Sequence, residues 1–242
     1  MFASAESPAP APPSASLAED FIDIWFSPST VFARRVNGGA WGPFLITTIL
    51  LCALFFAAMG SMQGIFDAEF AKAMAEARAQ NPAMTDAQAA QMQGIMEGSL
   101  KYGGLVAMPM IVCGLGLVVW LLAKILGGTL SFGGGIMVAS FAYLPKALDL
   151  LVFLAQSFVF DGPATGKFQY SVGIGRLLDP SMNQGVYNLL GRVDLFTIWV
   201  TVLITLGLMH TAKVERTKAI AGGVGLWVLG GLPALLQVFR GG

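Results

Sequence analysis

The chain has long intervals without Asp, Glu, Lys or Arg: residues 36–66, 102–123, 125–145, 195–212 and 219–239. An apolar run of roughly 18 residues or more is a candidate bilayer span, because about 20 helical residues at about 1.5 Å each cover a hydrocarbon core of about 30 Å. The pattern predicts an all-α polytopic membrane protein with five transmembrane helices, near 43–60, 104–126, 132–160, 194–211 and 219–239. The membrane domain as a whole covers 43–239.

Ahead of it, residues 17–42 form a segment of different pattern. In "LAEDFIDIWFSPSTVFARRV", Phe21, Ile24 and Trp25 share one side, Val31, Phe32 and Val36 continue the apolar surface, and Arg34 and Arg35 follow. Ser27 suits a helix N-cap and Pro28 a first turn. This predicts an amphipathic interfacial helix in the headgroup region, with Trp25 and Phe32 toward the acyl chains and Arg34 and Arg35 toward anionic lipid. The alternative is a packed pre-helix with no lipid role. Residues 1–16 are rich in Pro, Ala and Ser, predict a disordered tail, and lack the parts of a secretory signal peptide.

The polar segment after the first span, rich in Ala, Gln and Met, predicts two helical stretches. "DAEFAKAMAEARAQ" stops at Asn81-Pro82, and "TDAQAAQMQGIMEGSL" opens with Thr85 and Gln88 at capping-box spacing. These helices are expected to pack on each other or on the membrane surface. The connection 161–193 holds Gly, Pro and small polar residues. Its "SVGIGRLL" lacks the glycine spacing, the lysine and the preceding strand of a phosphate loop.

Composition supports the membrane class. Of 242 residues, 55% are hydrophobic and 12% charged, against about 25% charged in a soluble domain; mean hydropathy is +0.70. A net charge of zero gives no electrostatic case for nucleic acid. Cys52 and Cys113 lie in apolar runs and read as small buried thiols. His210 is the single histidine; it has no co-ligands nearby and reads as a helix-end cation. No nucleophile–base constellation is present, so no catalytic, metal or cofactor site is expected and the chain is not expected to be an enzyme.

Basic residues orient the spans. Arg34 and Arg35 precede span one, Lys124 lies at the turn between spans two and three, and Lys213, Arg216 and Lys218 outnumber Glu215 between spans four and five. With five spans these places share one side, which predicts a cytoplasmic N-terminus and an outside C-terminus.

One stretch carries candidate chemistry. "AYLPKALDLL", 142–151, places Lys146 near the middle of the third span, behind Pro145, which should kink the helix. Asp149, three residues on, shares a face with Lys146 and can pair with it; Gln156 follows on roughly that face. A charge at mid-depth costs something like 2.5–3.5 kcal/mol and usually faces protein or a watery cavity. Two readings stay open. In one, the pair neutralises itself, bonds carbonyls freed by the proline and fixes helix register. In the other, it belongs to an ion, proton or small-solute pathway, although no duplicated broken helix accompanies it. Asp194 suits the start of span four or a partner such as Arg192 or Arg176. Trp25, Trp41 and Trp199 fall near span starts, as interfacial aromatics do. Gly135–Ala139, Ala221–Gly225 and Gly230–Ala234 allow close approach within a bundle or a homodimer.

Three stretches resemble one family. "FIDIWFSPSTVFARRV" resembles the amphipathic opening segment of many bacterial members of the Yip (Ypt-interacting protein) membrane family. "VASFAYLPKAL" is similar to that family's third span, where a Tyr and a nearby Pro recur. "VDLFTIWVTVLITLGLMHTAKVERTKAIAGGVGLWVL" is the closest match, with Asp-x-Phe-x-x-Trp opening span four and a Gly near its end. The resemblance covers residues 19 to about 239. It implies a five-helix bundle with a cytoplasmic N-terminus. Eukaryotic members are tied to Rab-type GTPases, vesicle traffic and membrane shaping; the GTPase partner is not carried over to this chain, which matches bacterial members. The expectation is a membrane-organising or partner-binding scaffold in a bacterial inner membrane. Its partners would be the lipid bilayer and other membrane proteins or itself as a homo-oligomer. The alternatives are a small transporter or channel using Lys146 and Asp149, or a lipid-handling protein using residues 21–36.

Overall fold

A computed structural model describes residues 15–160 and 166–240, so the predicted tail lies outside the described residues save for its last two positions. The named elements are α1 (Leu17–Asp23), α2 (Pro28–Arg34), α3 (Trp41–Gln80), α4 (Asp86–Ile125), α5 (Phe132–Ala142), α6 (Pro145–Val159), α7 (Gln184–Gly191), α8 (Leu195–His210), α9 (Arg216–Leu229) and α10 (Leu232–Arg240), with a short 3-10 turn at Ile174–Leu177.

The bundle has two ends. At one, here the basic-loop end, the turn after α4 meets the loop after α8, and Thr129 N–H donates to the Ala212 carbonyl at 2.8 Å. The other is the hairpin end, where α3 turns into α4 beside the segment 166–193. Three helical stretches are long and apolar enough to cross a membrane: α3, Tyr102–Ile125 within α4, and Phe132–Val159 across α5 and α6. A fourth is the bent pair α9–α10, and α8 is a shorter apolar helix.

Two expectations about element length are corrected. The two helical stretches of the polar segment form and part at residues 81–85, but each is continuous with a span. Residues 67–80 contain no proline or glycine and are rich in strong helix formers, so α3 runs unbroken to Gln80. Thr85 and Gln88 do form the capping box, and the α4 they start continues through Pro109 to Ile125. Each of these helices has 40 residues, about 60 Å at helical rise and twice a bilayer core. The Arg78–Asp86 ion pair at 2.9 Å fastens the tip. The second correction concerns residues 219–239, which bend by 40° between α9 and α10 instead of running straight. Gly230 and Gly231 occupy the break, Pro233 follows, and α10 lies against α7. There a Cβ on Gly185 would stand 2.2 Å from the Val238 amide nitrogen, so that contact requires glycine.

α5 is the buried centre. Gly134 to Ala142 are all buried, and a Cβ on Gly135 would meet the Gly116 carbonyl of α4 at 2.5 Å. Met137, Val138 and Phe141 of α5 pack with Leu203, Ile204 and Leu208 of α8 and Val119 of α4. Burying one such side chain contributes about 1.5–3 kcal/mol against water; within lipid the gain comes from close packing of small and branched residues.

The N-terminal segment also differs from expectation. It forms two helices, and its apolar side faces the bundle. Phe32 is 0% exposed, its carbonyl accepts from Thr211 Oγ1 at 2.9 Å, and Trp25 packs edge-on against Trp199 at 5.3 Å. Ile22 at 61% and Phe26 at 81% are the exposed apolar residues there. Arg34 and Arg35 both bind the carboxylate of buried Asp20. Arg34 also bonds Asp23 at 2.6 Å, and Arg35 donates to the Ala15 carbonyl at 3.2 Å. The physical reason is that an amphipathic stripe packs equally well on protein, and buried Asp20 with partly exposed Asp23 neutralises the arginines. Ser27 makes no side-chain cap, while Ser16 and Glu19 form a capping box at α1.

Candidate functional site

The helix of the third span is interrupted at Tyr143 and Leu144. Pro145 has no N–H to continue the ladder, and the amides of Lys146 and Ala147 bond three residues back, to Tyr143 and Leu144, at 3.0 and 2.8 Å. α6 restarts with Lys146 in its first turn. Lys146 Nζ donates to Asp149 Oδ2 at 2.9 Å and to Thr197 Oγ1 at 3.0 Å, and lies 3.6 Å from Asp194 Oδ1. Asp194 is buried and caps α8, accepting from the amides of Phe196 and Thr197 at 3.0 and 2.9 Å. One ammonium thus ties α6 to the start of α8 through two carboxylates and a hydroxyl.

Sequence reasoning named Lys146, Pro145 and Asp149, and the structure brings them together. It missed that Asp194 and Thr197 complete the cluster. Asp194 carried a local signal as a cap, but its partner is Lys146, not Arg192 or Arg176. Arg192 instead donates to the Trp227 carbonyl at 2.9 Å and stacks on its ring at 5.9 Å. Arg176 donates to Gln156 Oε1 at 3.2 Å, and Gln156 donates to the Tyr170 carbonyl at 3.1 Å. Gln156 therefore serves the neighbouring loop and not the Lys–Asp pair. The proline-freed carbonyls are not what Lys146 bonds. It lies beside the N-cap of α8, about 21 Å along the helix from Phe132, at the middle of the 28-residue stretch Phe132–Val159.

A cavity of about 430 Å³ adjoins the cluster. Lys146, Asp149, Asp194 and Thr197 line one side, Lys167 and Arg192 another, and Phe55, Phe66 and Phe153 supply apolar walls. Lys167 lies 4.9 Å over the Phe168 ring. Burial pushes its ammonium below the ordinary value, an effect opposed by Glu69 and increased by Lys72. The acids and bases around this cavity are near balance, and no group of three or more His, Cys, Asp or Glu residues that could hold a metal ion occurs among the described residues. Cys52 and Cys113 are half-buried free thiols.

No curated protein and no solved structure matches the chain. The Yip1 domain matches residues 22–236, which span the N-terminal helices, the Lys146 cluster and the broken α9–α10 pair. With that match over most of its length and apolar helices long enough to cross a bilayer, the chain belongs to the Yip1 domain family and is an integral membrane protein of the Yip type.

Proposed function

We propose that this protein is a non-enzymatic scaffold that organises membrane or binds partner proteins, and that it crosses the bilayer five times. The observation that carries the reading is the closure of the bundle between the cavity and the basic-loop end. Met137, Phe141, Leu203 and Leu208, each at most 1% exposed, fill the cross-section there, and Lys146 is held by the chain's own acceptors. A charge so occupied is a clasp between α6 and α8 rather than a relay. The family's tie to membrane trafficking points the same way.

The direction of the helices supports five crossings. α3, α5–α6 and α9–α10 run from the basic-loop end to the hairpin end, and α4 and α8 return. Short α8 suffices as a crossing because α7 and the 166–183 segment cover its N-terminus. We place the basic-loop end in the cytoplasm of a bacterial cell and the hairpin outside the inner membrane. Arg34 and Arg35 are neutralised by Asp20 and Asp23, so this orientation rests on Lys124, Lys213, Arg216 and Lys218. The partner-binding element is the part of α3 and α4 beyond the bundle, whose exposed Met92 and Ile95 give an adaptable apolar face.

The test is reconstitution in proteoliposomes with separate monitoring of proton, potassium and small-anion flux. The scaffold reading expects fluxes equal to those of protein-free vesicles and unaffected by Lys146→Met. Flux above that background, lost in Lys146→Met, would establish the transporter instead.

A further inference from the structure

Away from the Lys146 cluster, a groove of about 600 Å³ runs between α8 and α9. Ile198, Val202 and Leu206 of α8 and Ile220 and Val224 of α9 form its apolar walls. Ile198, Val202, Ile220 and Val224 are also exposed on the bundle surface, so the groove opens sideways toward lipid. The threonines in it present no unmet polar group, because Thr201 and Thr205 each donate to the carbonyl one turn back at 2.9 Å.

At the far end the buried Trp227 Nε1–H has no partner among the described residues, while positive charge collects at the opposite mouth. Ser29 from α2, His210 at the end of α8 and Arg216 at the start of α9 meet there, and none of the three has a side-chain hydrogen bond or ion pair among the described residues. Lys213 stands in the same loop, and the nearby acid, Glu215, is engaged by Lys218 at 3.8 Å. Unoccupied donors and positive charge thus border an apolar slot. From Arg216 to Trp227 at its far end the slot is about 16 Å long at helical rise, which matches the roughly 15 Å depth of one leaflet's hydrocarbon.

We propose that this groove is a binding site for an anionic phospholipid. The phosphate is held by Arg216, with His210 and Ser29 as further donors, and one acyl chain lies along α8 and α9. Charge complementarity at the mouth, the apolar lining and the one-leaflet length together select this ligand. A soluble anion would leave the apolar slot empty, and a zwitterionic lipid would bring its own cation against Arg216. The site goes beyond the scaffold reading and does not depend on it.

The experiment places the full chain in nanodiscs of equimolar phosphatidylglycerol and phosphatidylethanolamine and reads retained lipid by native mass spectrometry after gentle detergent release. The intact chain is expected to retain phosphatidylglycerol at least about tenfold over phosphatidylethanolamine, given about 1 kcal/mol per cation at the surface and a tenfold change per 1.4 kcal/mol. The double variant Arg216→Gln, His210→Gln replaces exposed Arg216 and half-buried His210 at the mouth and should bring the ratio near one. Val224→Trp fills the slot and should abolish retained lipid, whereas Leu105→Trp, on the lipid-facing side of α4 away from the groove, should retain it as the parent does. Thermal unfolding of each variant in the same detergent checks the fold. The proposal is overturned by an absent preference in the parent, by a preference that survives the double variant, or by release as a dimer whose groove is closed by a second copy.

Discussion

Lys146 holds two carboxylates at once, and its removal is therefore worse than its replacement together with them. Lys146→Met leaves Asp149 and Asp194 facing one another without a cation, and an uncompensated buried charge costs about 3 kcal/mol or more. Unfolding in detergent micelles should show that loss, and Lys146→Met combined with Asp149→Leu and Asp194→Asn should recover most of it. Asp20→Asn should cost about 1.5–3 kcal/mol by the same measurement, because it removes the negative charge shared by Arg34 and Arg35 and one of the two acceptor oxygens. Lys167 gives a pH signature. Its folded-state value lies below the ordinary 10.5, so the unfolded chain binds more protons and stability rises with pH across the window between the two values. Lys167→Gln should flatten that rise in unfolding experiments run across the window. Of these groups, Lys146 and Asp149 were legible because three-residue spacing on a helix puts them side by side. Thr197 lies 51 positions away and gave no local signal. Phe32 was misread because an apolar stripe has the same pattern whether it meets lipid or protein.

Element boundaries followed the strongest local chemistry. The Thr85 capping box, Pro145 and the charge-free runs were all legible and fall where α4, α6 and the apolar helices lie. The continuity of α3 and α4 past the membrane was not, since a polar helix joined to an apolar one leaves no mark at the junction. The break at Gly230 was hidden for the opposite reason: glycine is common throughout this chain, and only the packing of α10 on α7 distinguishes this pair. Close approach of α4 and α5 is the contact on which the core depends. Gly135→Leu would drive a side chain into the Gly116 carbonyl, and overpacking of this kind costs about 1–3 kcal/mol or more. A fall in unfolding temperature and loss of monodisperse protein on size exclusion are expected. Gly225→Leu, whose added Cβ meets nothing within 4 Å, should leave both unchanged.

The whole molecule pairs a closed bundle with a long hairpin and a polar cavity displaced toward the hairpin end. Family and fold class were readable from composition, charge-free runs and a few motifs; the one-sidedness of the cavity was not, because it depends on which residues of α5 and α8 fill the cross-section. Thiol labelling at Leu150 tests that one-sidedness while leaving the Lys146 cluster intact. Leu150 lines the cavity and makes no part of the Lys146 cluster. With Cys52 and Cys113 replaced by Ala and a single Leu150→Cys, a membrane-impermeant thiol reagent is applied to one face of sealed vesicles at a time, with a surface cysteine as control. The account predicts no labelling from the basic-loop face, whatever the hairpin face gives. Labelling of position 150 from the basic-loop face would mean that water passes the Met137–Leu208 layer, and would contradict it.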